Sequence, residues 1–337
     1  MNGESGPIGP PPAKRRLGRR AWLLLALKLA VSAGGLFLTF RIVDLADLKS
    51  VSIPWGLWLP AMLALFFLQA ALMAVRQWAL LRLMGERFPY GTCLKAYLVG
   101  LFCGQVLVTF VAGDLVKIWY LGRGRSKLVP SVATILDRIY GFLGIITLAI
   151  PAGLLIATYG WGDPAAIPWR AIAAAFIGAM IAATVLLRLL ASGGSVLARA
   201  AMPDRLKELG RSFGVGFSRV GSVAVLLGLS VVTQAINLVI LALIGDAMGS
   251  ALTAKHYLLL TPVPLLLSHL PISFAGWGVR EGAMTLAFGH TAGSPEFAAA
   301  MSIVFGLGLL ASSLPGLVLL LTLRYGRSSR AGRRSER

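Results

Sequence analysis

The sequence predicts an all-α polytopic membrane protein with about six crossing helices plus two segments that enter the bilayer and return. Three observations predict it. The 337 residues are 57% hydrophobic and only 13% charged, whereas about a quarter of a soluble globular protein is charged. Apolar runs long enough to cross a bilayer recur along the chain. Lys and Arg gather in the intervals and tails rather than inside those runs.

The elements follow in order. Residues 1–20, "MNGESGPIGPPPAKRRLGRR", are Gly/Pro-rich and then basic, as expected of a disordered cytoplasmic tail. The run 22–40 is long and lacks a small-residue cleavage site, so it reads as an uncleaved signal-anchor. Further apolar runs cover roughly 54–75, 96–116, 128–158, 168–190, 222–245, 257–288 and 297–323. They form one integral membrane domain over 21–325, with halves of about 21–160 and 168–325, and a basic cytoplasmic tail at 326–337. Trp55, Trp58, Trp161 and Trp169 fit an outer aromatic belt.

Eight simple crossings would leave Lys117, Arg123, Arg125 and Lys127 outside, against the positive-inside rule. That conflict disappears if 96–116 dips in from the cytoplasm and 257–288 dips in from the opposite side. Most of the 32 Lys and Arg then lie inside, and only Arg41, Lys49, Arg170 and Lys255 lie outside. Both termini are cytoplasmic in this arrangement, and a bacterial-type inner membrane is the expected location. Each half reads cross, cross, re-enter, cross, with opposite starting sides. This is an inverted-topology repeat, as in many secondary transporters.

The dipping segments contain helix breakers. The first has Gly104, Gly113 and Asp114; the second has Pro262, Pro264, Pro271, Ser273, Gly276, Trp277, Gly278 and Gly282. Proline removes a helix hydrogen bond, and glycine permits backbone shapes other residues resist. Non-helical backbone at membrane depth survives only where protein buries it or a watery cavity receives it.

Charge accompanies each break: Asp114 and Lys117 in the first, Arg280 and Glu281 in the second. Asp137 and Arg138 interrupt a third apolar run. Charges at such depth cost several kcal/mol unless paired or hydrated, and usually mark function. Neighbours in sequence do not face each other on a helix. Asp137 and Arg138 are therefore expected to find partners elsewhere, across the repeat interface with Arg280 and Glu281. The competing structural reading makes Lys117 and Asp114 surface charges, Arg280–Glu281 a solvated turn, and Asp137–Arg138 a lock between helices.

Other features point to fewer functions. A net charge of +19 is explained by topology rather than by nucleic acid. Cys93 and Cys103, and the scattered His256, His269 and His290, show no disulfide or metal-ligand spacing, so no metal is expected. "GVGFSRVG" lacks the Lys-Ser/Thr ending of a phosphate loop, and no cofactor is expected. The basic stretch 205–219 reads as an amphipathic helix on an anionic leaflet or equally as a plain loop.

A set of motifs carries a resemblance. It comprises Arg76-x-Trp78-x-Leu80-Leu81 with Gly85, Tyr97-x-Val99-Gly100, Gly113-Asp114-x-x-Lys117 and Asp137-Arg138-x-x-Gly141. Leu270-Pro271-Ile272-Ser273, Gly276-Trp277-Gly278 and Arg280-Glu281 complete it. Over most of residues 20–325 the chain resembles the transmembrane-region family of lysylphosphatidylglycerol synthase, the flippase-like integral membrane proteins. It departs at the first break, where Val108-Thr109 and Ala112-Gly113 replace the family's Leu-Pro and Gly-Gly, and Lys117 replaces arginine. In fused members this region is joined to a cytoplasmic aminoacyltransferase, so the resemblance implies lipid translocation or work linked to lipid synthesis. No transferase domain is read in this sequence, and aminoacyl transfer is not expected of it.

The expectation is a flippase-like transporter of a phospholipid, glycolipid or hopanoid-type lipid, acting in envelope biogenesis. Arg138 and Arg280 would attract an anionic head group. Asp114, Asp137 and Glu281 would hold those arginines or respond to protons. Lys117, Gly276 and Gly278 complete the translocation candidates, and Gly113, Pro271, Ser273 and Trp277 shape the breaks. Two alternatives stand beside it: an intramembrane transferase using Asp114, Asp137 or Glu281 as base, and a non-catalytic partner of lipid-synthesis enzymes.

Overall fold

The computed structural model describes residue 37 and segments 56–106, 110–159, 220–269, 276–289 and 294–335. The runs read at 22–40 (residue 37 apart) and 168–190, the tail 1–20, the stretch 205–219, Pro271, Ser273, Trp55, Trp161 and Trp169 lie outside these residues. Every element among the described residues is a helix. They are α1 (Trp58–Leu83), α2 (Tyr90–Val106), α3 (Phe110–Leu121), α4 (Leu128–Tyr159) and α5 (Val220–Ala247), then the short α6 (Ala254–Leu260), α7 (Pro262–His269) and α8 (Val279–Phe288), and finally α9 (Pro295–Ser335).

Four of these are long and apolar enough to cross a bilayer: Trp58–Leu83, Leu128–Ala149, Val220–Ala247 and Pro295–Thr322. The others are not. At 1.5 Å per residue, the 12 residues of α3 reach about 18 Å, short of a hydrocarbon core of about 30 Å. Pro262 separates α6 from α7, because it cannot donate to the preceding turn. Twice, therefore, a long helix is followed by a hairpin of short helices and then by another long helix.

Two apolar clusters show how the hairpins are set. One joins Leu80 and Leu81 at the end of α1 to Cys93 and Ala96 of α2, Leu121 of α3, Val132 and Leu136 of α4, and Leu226 of α5. The other joins Met62 and Phe66 at the start of α1 to Ile240 and Ile244 of α5, Tyr257, Leu265 and Phe288 of α6–α8, and Met301 of α9. The clusters take opposite ends of α1 and of α5. The α2–α3 hairpin is thus rooted at one end of the bundle and the α6–α8 hairpin at the other, the opposed placement that an inverted repeat predicts. The pairs Gln69–Asn237 and Arg76–Ser230 run in opposite senses along α1 and α5, as an inverted repeat requires of matching helices.

The bundle is polar inside and apolar outside. On α5, Ser230, Thr233, Gln234 and Asn237 are buried while Val225, Val232 and Val239 are exposed. On α1, Gln69, Arg76 and Gln77 are buried while Phe67 and Leu68 are exposed. Lipid is a good solvent for the outward valines and leucines. Polar side chains must find each other in the interior instead.

Candidate functional site

The first hairpin is held closed by glycine. A Cβ on Gly113 would collide with the carbonyl oxygen of Gly100 and stand 3.2 Å from the Cα of Gly104. The two helices therefore approach at backbone contact, as small residues allow in membrane bundles. This contact sets Lys117 and Asp114 of α3 against Tyr97 of α2, with the Lys117 ammonium 4.6 Å from the ring centre.

From there a chain of alternating charges crosses three helices. Arg76 Nε of α1 lies 2.7 Å from Asp137 Oδ1 of α4. Asp137 Oδ2 lies 3.9 Å from Lys117 Nζ, which lies 2.9 Å from Asp114 Oδ1. Asp114 Oδ2 in turn accepts from Arg138 Nε. Asp137 and Arg138 are adjacent, so about 100° of helix separates their directions. Asp137 faces α1 and Arg138 faces α3. Arg76 also donates to Ser230 Oγ at 2.8 Å, drawing α5 into the network. Unpaired, charges in so dry a place would cost several kcal/mol each.

The second hairpin handles charge differently. Gly276 and Gly278 have φ of +84° and +81°, values that a residue with a Cβ rarely adopts. They turn the chain into α8. Glu281 Oε2 then accepts from the Gly278 N–H at 2.6 Å, and Glu281 Oε1 lies 2.6 Å from Arg280 Nη2. Ser302 of α9 accepts from Arg280 Nε at 3.3 Å and lies 3.4 Å from Glu281 Oε1. The Arg280 guanidinium stands 4.8 Å from the Trp277 ring centre and 5.7 Å from that of Phe305.

Both hairpins and all four long helices line one cavity of about 180 Å³. Arg76, Asp114, Lys117, Asp137, Arg138 and Arg280 reach it. So do the carboxamides Gln69, Gln105, Gln234 and Asn237. Counting Glu281 behind Arg280, four cations meet three carboxylates, an excess of one positive charge. The cavity is smaller than the roughly 300–1,000 Å³ of drug-sized sites. Among the described residues no three His, Cys, Asp or Glu side chains gather as a metal site would need.

The structure thus brings Asp114, Lys117, Asp137, Arg138 and Arg280 together, with Gly113 at the hairpin contact. Glu281, Gly276, Gly278 and Trp277 stand behind Arg280. Three expectations change. Asp137 and Arg138 pair with Arg76 and Asp114 and not with Arg280 and Glu281, because α1 and α3 are their packed neighbours. Arg280–Glu281 is no solvated turn: the residues are 2% and 0% exposed. Lys117, at 6% exposed, is not a surface charge.

The apolar run at 54–75 stops just short of Arg76, which hydropathy alone places in a loop. Arg76 is 2% exposed, and α1 continues past it to Leu83. The amides were also missed. On α5 their signal was present, since Ser230, Thr233, Gln234 and Asn237 recur at i, i+3, i+4 and i+7, one face of a helix.

Comparison with known proteins agrees with the membrane architecture. The family model described as "Lysylphosphatidylglycerol synthase TM region" matches residues 25–316. The chain belongs to this family of integral membrane proteins, whose functions relate to lipids and the cell envelope. No curated protein and no solved structure matches it.

Proposed function

We propose that this member of the lysylphosphatidylglycerol synthase transmembrane-region family carries the anionic head group of a lipid across the membrane. One observation carries the reading: a partly open, net-positive cavity lies where two hairpins rooted at opposite ends of the bundle come together. Binding sites between inverted repeats are the usual place for alternating access.

The head group would sit in the cavity while its acyl chains stay in lipid. Arg138 is the natural first contact. Its side chain is 24% exposed, against 2% for Arg76 and 3% for Arg280, and its carboxylate partner Asp114 is itself 15% exposed. Phosphate would exchange with Asp114 for the Arg138 guanidinium, with Lys117 close by. The positive end of α8 takes no part in this, because Glu281 already occupies the Gly278 N–H.

The expected location is a bacterial-type inner membrane. Arg82, Arg87, Arg123, Arg125 and Lys127 cluster at the end where the first hairpin is rooted. The positive-inside rule turns that end to the cytoplasm.

Reconstituted vesicles carrying a tail-labelled fluorescent phosphatidylglycerol and an impermeant quencher test the proposal. The purified chain should expose inner-leaflet label, and Arg138→Ala should slow this about tenfold, the worth of a charge-assisted contact. Equal movement by both proteins would sink the transport reading. Lipid of altered mass after incubation would support the transferase alternative.

A further inference from the structure

The cavity contains a titratable group that the charge network leaves unused. His269 ends α7, is half-buried and lines the cavity together with Arg138. Its Nδ1 lies 2.6 Å from the carbonyl oxygen of Leu265, one turn back along the helix. A carbonyl only accepts, so Nδ1 carries the hydrogen and the neutral ring keeps its lone pair on Nε2. Phe142 of α4 packs edge-on against the ring, with 6.2 Å between ring centres. These contacts hold the imidazole in place whether or not Nε2 takes a proton.

The carboxylates of the site are poor places for that proton. Asp114 faces Lys117 and Arg138, Asp137 faces Arg76 and Lys117, and Glu281 holds both Arg280 and the Gly278 N–H. A proton on any of them would take a counter-ion from a protein cation in a dry place. Imidazole is the side chain whose charge ordinarily changes between pH 5 and 8.

The charges around the ring decide when it protonates. Arg138 and Arg76 act on it electrostatically. Of the helices packed against α7, α4 brings Asp137 and Arg138, and α8 brings Arg280 and Glu281. Lys255, His256 and Tyr257 of α6 do not line the cavity. A phosphate on Arg138 would bring a negative charge into this group of cations, and a nearby negative charge favours the imidazolium. Linkage is reciprocal: an anion that favours the proton is favoured by it by the same factor.

We infer that His269 is the proton site of the cavity, and that head group and proton bind together, one for one. The inference rests on the lipid-binding reading of the cavity. The proton comes from water on the side where the lipid enters and adds to Nε2. It returns to water on the side where the lipid leaves, and no other bond changes. A singly charged phosphodiester and one proton add no net charge. The loaded cavity therefore keeps the excess of one positive charge that it has when empty. A pH difference across the membrane drives net lipid movement, and an electrical potential does not.

The test is isothermal titration calorimetry of the full-length chain in detergent with dioctanoyl phosphatidylglycerol, repeated in two buffers of different ionisation enthalpy. The difference in heat counts protons. The wild type should take up protons on binding, most strongly between pH 5 and 8. Its affinity should rise by up to about tenfold per unit as pH falls through that range. His269→Asn keeps a donor near the Nδ1 position and cannot titrate, so it should bind without uptake and without the pH dependence. Asp114→Asn should keep both. In vesicles, one pH unit of extra acidity on one side should bias labelled phosphatidylglycerol toward the opposite leaflet by about tenfold, and His269→Asn should abolish the bias.

Binding without proton uptake, uptake that survives His269→Asn, or uptake lost in Asp114→Asn would overturn the inference and leave lipid binding standing. Wild-type uptake confined below pH 5 would place the proton on a carboxylate, and so overturn it without recourse to a variant. Uptake on binding with no movement in vesicles would sink translocation alone. No binding at any pH would sink both readings.

Discussion

The two hairpins carry charge in opposite ways. In the first, Asp114 and Lys117 pair with each other and also share Arg138 and Asp137 of α4, with Arg76 of α1 joined through Asp137, and the Asp114 and Arg138 side chains keep some exposure. In the second, Arg280 and Glu281 close on each other within one turn, with side chains 3% and 0% exposed, and Glu281 also caps α8. A charge pair satisfied locally and sealed by packing holds a fold. A pair shared among several elements and open to a cavity can change partners. If the proposed function holds, the second hairpin is the anchor and the first carries the group that responds to ligand.

The largest stability effect should therefore come from the second hairpin. Glu281→Ala strands the Arg280 guanidinium in a dry site and uncaps α8. Removing one partner of a buried pair costs about 3–5 kcal/mol, and unfolding in detergent should show a loss of that size. A loss under about 1 kcal/mol would mean that the pair is not the anchor.

Glycines sharpen the contrast next. Gly113→Ala would press a methyl group onto the Gly100 carbonyl, backbone against backbone, at a cost of about 1–3 kcal/mol. It would also move Asp114 away from its partners, so lipid movement should fall with stability. Gly276→Ala is opposed mainly by its φ of +84°, a strain of about 1–2 kcal/mol. Its effect should be on stability, with movement per folded molecule unchanged. Two variants that lost movement equally per folded molecule would erase the distinction between the hairpins.

Legibility in the sequence followed the same divide between local and tertiary. The apolar runs at 128–158, 222–245 and 297–323 fall within α4, α5 and α9, because a spanning helix satisfies its own backbone and needs only length and apolarity. In the second hairpin Pro262, Gly276 and Gly278 marked the breaks; in the first, Gly104, Gly113 and Asp114 lie within α2 and α3, and the glycines mark the close contact of those helices and not a break. The opposed hairpins were readable from the distribution of Lys and Arg. Pairing was not readable. Nothing local says that Arg138 meets Asp114 or that Asp137 meets Arg76, because those partners are set by which helices pack. Arg280 and Glu281 were expected to reach across the interface. A flexible arginine beside a glutamate that folds back to cap its own helix closes the pair instead. Arg76 and Gln77 looked like the end of a helix, since hydropathy counts their polarity and cannot see Asp137 and Thr134 waiting for them.

The smallest stability effects separate burial from mere proximity. Arg125 and Glu86 approach to 3.2 Å, close to the 2.9 Å of Lys117 and Asp114. The side chains of the first pair are 54% and 24% exposed, against 7% and 15% for the second. At similar separation, water screens one pair and the protein interior strengthens the other. Asp114→Asn keeps the shape of the side chain and removes its charge, so Arg138 loses its counter-ion but retains access to the cavity. Its stability should fall by about 1 kcal/mol, while anionic lipid binding tightens because phosphate no longer competes with a carboxylate. Movement should slow as release becomes difficult. Glu86→Gln should change stability by less than about 0.5 kcal/mol and leave both binding and movement alone. If the two variants behaved alike, a short distance would be all that the charge network has in common with a site, and the cavity would lose its claim to the head group.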